Sequence, residues 1–183
     1  MSINRRCFLQ TACLSGLCAC TTGSVASDAD APPPNTAAPA TDPMPYKWIA
    51  ALLPELSKLV NRQEAKEILK GCSTAHYVHL GMDGVITPFK GKLDEFLDHL
   101  SRTWGWKIKY DREARVVLID EAKSKCVCPL VKDAAQDGLS ILCDCSEGFA
   151  ERMFSSVVGH PVKASVTASI LRGASSCQYR ITL

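Results

Sequence analysis

The segment from Cys126 to Cys145, C-V-C-P-L-V-K-D-A-A-Q-D-G-L-S-I-L-C-D-C, constrains this chain more than any other. It sets two Cys-x-Cys pairs at the ends of a short predicted helix, so four thiols come to two turns able to lie side by side. A structural zinc wants four sulfur or nitrogen ligands in a tetrahedron, and Cys-x-Cys is a tighter spacing than the Cys-x-x-Cys of common zinc knuckles. The chain carries no phosphate-binding loop, nucleophile elbow or zinc-protease helix, so thiols are its clearest chemical signal.

Ten cysteines are present, but Cys7, Cys13, Cys18 and Cys20 fall in the opening segment. That opening, N-R-R-C-F-L-Q, resembles a bacterial twin-arginine export signal: Arg5-Arg6, then Phe8-Leu9, then a moderately apolar run from Thr11 to Ala19. The run is too short to span a bilayer as a permanent helix. It ends in Leu17-Cys18-Ala19-Cys20, which resembles a lipobox, where cleavage before Cys20 leaves that thiol to carry lipid. A competing cut follows Ser24-Val25-Ala26 and would release a soluble protein. Residues 1–26 are therefore expected to be a targeting segment, and residues 27–45, rich in Asp, Ala, Thr and Pro, a semi-extended linker. The expected location is the bacterial cell envelope.

Residues 46–183 are left for one domain, and six cysteines for its fold: Cys72, Cys126, Cys128, Cys143, Cys145 and Cys177. A net charge of +2, with basic residues scattered among acids and no interleaved aromatics, gives no reason to expect nucleic acid. Trp48, Leu52, Leu56 and Leu59 mark one face of a first helix that Pro54 could kink. Asn61 and Glu64 form a capping box for a second helix, which Gly71 should end, with Cys72 and His76 just beyond it and on one face if helical geometry resumes. Lys92 to Thr103 reads as a helix burying Leu93, Phe96, Leu97 and Leu100. A hairpin follows, with Trp106, Ile108 and Tyr110 alternating on one strand and Arg115 to Asp120 returning. A capped helix is expected from Ser146 to Val158, closed by Gly159. The chain ends in a second hairpin, Val162 to Ile170 and Cys177 to Leu183, turning around Gly173. These elements predict an α+β domain: a four-stranded antiparallel sheet from two hairpins, with helices packed on one face.

The last third, with C-D-C-S-E-G-F-A-E-R-M-F, G-H-P-V and S-I-L-R-G-A-S-S-C-Q-Y-R-I-T-L, resembles the C-terminal part of 4-vinyl-reductase-type ligand-binding domains. It is similar also to a bacterial group related to L-2-amino-thiazoline-4-carboxylic acid hydrolase. The pattern rests most on Cys145 with Gly148-Phe149, and on Gly173 with Cys177. The resemblance implies a small-molecule pocket near a structural zinc, with Cys145 and Cys177 at positions similar to two of its ligands. Near Val166 and Ser169, where those domains carry further ligands, this chain has none. In the hydrolase-related group the region of Cys72 is usually a Cys-x-x-x-Cys pair; here its second member is His76, a swap zinc tolerates.

The favoured zinc set is Cys126, Cys128, Cys145 and Cys177, with Cys72, His76 and Cys143 in reserve. Disulfides compete, because six cysteines in an exported chain commonly pair, although a twin-arginine substrate folds first in a reducing compartment. The leading expectation is an exported, lipid-anchored small-molecule-binding domain with a cysteine cluster holding zinc. A hydrolase acting on a C–N bond of a small cyclic or amide substrate is the alternative, with Cys145 as nucleophile and His76 or His160 as base. At the expected start of its helix, Cys145 should be favoured as thiolate. Redox or metal handling by accessible Cys-x-Cys thiols is a third reading. His79 and His99 show no partners in sequence, and the Trp104-Gly-Trp106 pair reads as core.

Overall fold

The computed structural model describes residues 44–131 and 139–183. The expected targeting segment with Arg5, Arg6 and Cys20, and residues 27–43 of the expected linker, lie outside the described residues. The last two residues of the expected linker, Met44 and Pro45, instead open the first helix, where proline is tolerated because the first amides have no helical partner.

Five helices and four strands are described. They run α1 (Met44–Leu59), α2 (Arg62–His79), α3 (Met82–Ile86), α4 (Leu93–His99) with a π turn over Leu100–Trp104, β1 (Lys107–Asp111), β2 (Val116–Asp120), α5 (Cys143–Val158), β3 (Lys163–Ala168) and β4 (Gln178–Thr182). The strands form one antiparallel sheet in the order β1-β2-β4-β3. This is the expected α+β fold of two hairpins, joined where β2 meets β4. Phe96, Leu100, Val117, Met153, Phe154, Val157 and Ile181 are fully buried together, with the Phe96 and Phe154 rings edge to face at 5.5 Å. Burying each such side chain contributes on the order of 1.5–3 kcal/mol.

Helix α2 starts as its capping box requires. Asn61 accepts hydrogen bonds from the Gln63 and Glu64 amides, each at 3.0 Å, and the Glu64 carboxylate accepts from the Asn61 amide at 2.9 Å. Gly71 does not end this helix, which continues to His79. A mid-helix glycine costs only about 1 kcal/mol, and packing along α5 on both sides of Gly71 outweighs it. Cys72 and His76 therefore share one face inside the helix and not beyond it.

The first helix departs from expectation in which face it buries. Leu53 is its buried residue, flanked by partly buried Ile49 and Ala50, and these pack on Leu69, Val131, Leu139 and Leu142. Trp48 and Leu59, on the face expected to be buried, are 58% and 82% exposed. Both sides of α1 carry apolar residues, so periodicity alone could not choose between them.

Helices α2 and α5 run in the same direction. Arg62 pairs with Asp144, Lys66 with Glu147 at 2.7 Å and Lys70 with Glu151 at 2.8 Å, the positions advancing together. Arg172 adds a second contact to Asp144 at 2.8 Å. The helices touch at Gly148, where a Cβ would lie 2.4 Å from the Lys70 carbonyl oxygen. Asp144 also explains why α5 begins at Cys143 and not Ser146: two guanidiniums fix its carboxylate in the first turn, where the helix dipole favours an anion.

Strand β3 is shorter than expected. Its register breaks between Val166 and Ala168, and the Ser169 hydroxyl then accepts from the Arg172 amide, starting a 3-10 turn over Ile170–Arg172. The short helix expected between the two Cys-x-Cys pairs falls largely on residues 132–138, outside the described residues; 3-10 turns over Pro129–Val131 and Leu139–Leu142 flank it.

Candidate binding site

The sheet places one set of alternating side chains under α5. On β2 these continue past the strand end, so that Val117, Ile119 and Glu121 share a parity. Opposite them stand Tyr179, paired with Ile119, and Cys177, whose carbonyl accepts the Glu121 amide hydrogen at 3.0 Å. Val166 of β3 pairs with Tyr179. Helix α5 turns Cys145, Ser146, Phe149, Ala150 and Met153 toward this surface.

Between helix and sheet is a cavity of about 460 Å³, within the range of small-molecule sites. His76 and Phe149 form one wall, their rings 4.9 Å apart. Trp104 and Trp106 form another, edge to face at 4.9 Å, with Trp106 stacked on Tyr179 at 6.3 Å. These tryptophans pack against the core, as the sequence suggests, and also face the cavity.

Cys126, Cys128, Cys143, Cys145 and Cys177 all line this one cavity. The favoured ligand set thus gathers around a single space, together with Cys143 and His76 from the reserve set. Cys72 is exposed on α2. All six described cysteines are free thiols. Among the described residues no three His, Cys, Asp or Glu side chains are grouped so as to hold a metal ion.

Burial governs these sulfurs. It pushes Cys128 up to about 11, with Cys126, Cys143 and Cys177 adding in the same direction. It pushes Cys145 up to about 11 as well. The thiolate expected at Cys145 is thus not favoured: desolvation of the charged form outweighs the helix start. Cys143 and Cys177 are raised for the same reason, Cys143 being opposed by its hydrogen bond to the Ser169 hydroxyl at 3.1 Å and by Arg172.

Among the described residues no hydrogen bond joins Cys145 to His76 or His160. Burial lowers the His76 pKa, with His79 adding to the effect. His160 is exposed and contacts Arg115 and the Pro161 carbonyl. His79 reaches the cavity rim, and His99 stacks on Phe89. Sequence reasoning missed Glu121 and Tyr179, although an acid at the core-facing parity of an otherwise apolar strand was a readable signal. The Tyr179 hydroxyl donates to Glu121 Oε1 at 2.8 Å.

No protein-family model matches the chain, and no curated protein matches it. Among solved structures it is similar to a trafficking protein particle complex subunit 3 from Naegleria fowleri, covalently bound to palmitic acid. The two are 12% identical, the match covers 76% of this chain and 95% of that one, and the TM-score is 0.43.

Proposed function

We propose that this chain is an exported, lipid-anchored binding domain that takes an apolar small molecule into the cavity between α5 and the sheet. The observation that carries the binding part is one space of about 460 Å³, lined by five buried or half-buried thiols, Phe149, Met153 and a Trp104–Trp106–Tyr179 wall. Protonated thiols behave as small, polarizable apolar groups and suit such a lining. The raised Cys145 pKa, and the lack of a base hydrogen-bonded to it among the described residues, favour binding over hydrolysis by that residue.

A neutral aromatic probe, naphthylethanol, tests this reading. It should quench tryptophan fluorescence saturably in the wild-type chain and bind more weakly to Val166→Trp, whose larger side chain would intrude on the space. Saturable binding of undiminished affinity in a folded Val166→Trp variant would remove the cavity from the proposal. Export and anchoring rest on Arg5, Arg6 and Cys20 and are tested separately. Incorporation of labelled fatty acid should disappear in Cys20→Ala, and retention of label there would refute the anchor.

Zinc held by Cys126, Cys128, Cys145 and Cys177 is the second reading, favoured by their shared cavity. Stoichiometric zinc in purified protein, lost in Cys128→Ser, would support it; metal-free protein with all four of these thiols titratable would exclude it.

A further inference from the structure

The cavity wall is apolar over most of its extent, but not where β2 ends. Glu121 is 8% exposed and lines the cavity, on the same side as Ile119. Asp120 and the turn at Ala122 hold it there: the Asp120 carboxylate accepts from the Ala122 amide at 2.8 Å, and Ala122 has a left-handed φ of 54°. The Tyr179 hydroxyl is the hydrogen-bond donor to the Glu121 carboxylate among the described residues. That donor is neutral. A buried carboxylate with only a neutral donor carries most of its desolvation cost uncompensated, and burial accordingly raises the Glu121 pKa.

The basic groups around the cavity do not offset this. Lys123 is exposed, and its charge acts on Glu121 less than burial does. His79 is exposed, and burial keeps His76 toward its neutral form. Trp104 and Trp106 line the same cavity, and Trp106 stacks on Tyr179, whose hydroxyl holds Glu121; the faces of such rings attract cations.

The geometry points to a ligand with an apolar, aromatic-sized body and a cationic amine head, the body filling the thiol-lined space and the ammonium pairing with Glu121 against the Trp106–Tyr179 stack. This rests on the cavity being the binding site and adds which class of molecule it selects. Glu121 is then the residue that sets specificity, through a contact made with the ligand itself.

Three probes with one naphthyl body and different heads separate the possibilities on the full chain: naphthylethylamine, naphthylethanol and naphthylpropanoate, measured by calorimetry and tryptophan quenching near neutral pH. The amine should bind wild-type protein about ten- to a hundred-fold more tightly than the alcohol, the range expected for a charge-assisted hydrogen bond in a buried setting. Glu121→Gln keeps an oxygen to accept from Tyr179 and removes the charge, so it should abolish that preference while leaving alcohol binding within about three-fold.

Equal binding of all three probes to wild-type protein would overturn the inference and leave the apolar cavity standing. So would a tightest-binding propanoate whose preference is lost in Lys123→Gln, which would assign the pole to the lysine. No binding of any probe to folded wild-type protein would overturn the cavity reading together with this one. The wild-type series needs no variant to fold.

Discussion

Helix α5 has two buried faces with opposite chemistry. Toward α2 it presents Asp144, Glu147 and Glu151, each matched by a cation and further held by backbone or arginine donors: the Val166 amide reaches Glu147 at 2.9 Å and the Ala164 amide reaches Glu151 at 3.2 Å. Toward the sheet it presents Cys145, Ser146, Phe149 and Met153 around an open space. The acids nearest in sequence to the cysteines are thus structural, because their charges are satisfied. Groups facing a void, with few protein partners, are where binding is to be sought. Charge alone would have pointed to the wrong face.

The sharpest break of this contrast comes from stranding a charge. Replacing both Arg62 and Arg172 by alanine leaves Asp144, 1% exposed, without its cations. Denaturant unfolding should show a loss of about 3–5 kcal/mol; a loss under about 1 kcal/mol would show that this face is not held by its ion pairs. Gly148→Ala comes next. Its methyl would meet the Lys70 backbone, and separating the helices to fit it should cost about 1–3 kcal/mol.

On the sheet side, pH should act through the thiols. Cys128 and Cys145 sit near 11 in the folded chain against an ordinary 9.0. Above pH 9 the unfolded chain loses those protons first, so stability should fall as pH rises from 9 toward 11 and be insensitive to these groups below 9. Alkylation with iodoacetamide at pH 8 should accordingly modify exposed Cys72 well before Cys128 or Cys145, as peptide mapping would read. Preferential labelling of Cys145 would instead revive it as a nucleophile. The smallest effect is expected from Cys145→Ala, under about 1 kcal/mol by the same unfolding measurement, since its sulfur borders open space.

Much of the architecture was legible in the chain. Local signals of one or two residues each located the capping box at Asn61 and Glu64, the turn at Gly173 and the alternation of Val117 with Ile119, because each acts through its own backbone neighbours. The elements misjudged were those decided by distant partners. Gly71 reads as a stop until α5 packs along α2 on both sides of it, and Ser146 reads as a cap until Arg62 and Arg172 secure Asp144 a half-turn earlier. On α1, two apolar faces competed, and the one meeting Leu69 and Leu139 was buried.

The site divides in the same way. Composition and spacing alone named the thiols and set Cys126 beside Cys128 and Cys143 beside Cys145, since residues two apart cannot stray far from one another. That Cys177 and Glu121 join them around a common space, that the sulfurs are held protonated, and that Glu147 and Glu151 face away from it were decided by the tertiary structure. Burial, which sets the energy of each charge, depends on what the rest of the chain lays over a residue and not on the residue's neighbours in sequence.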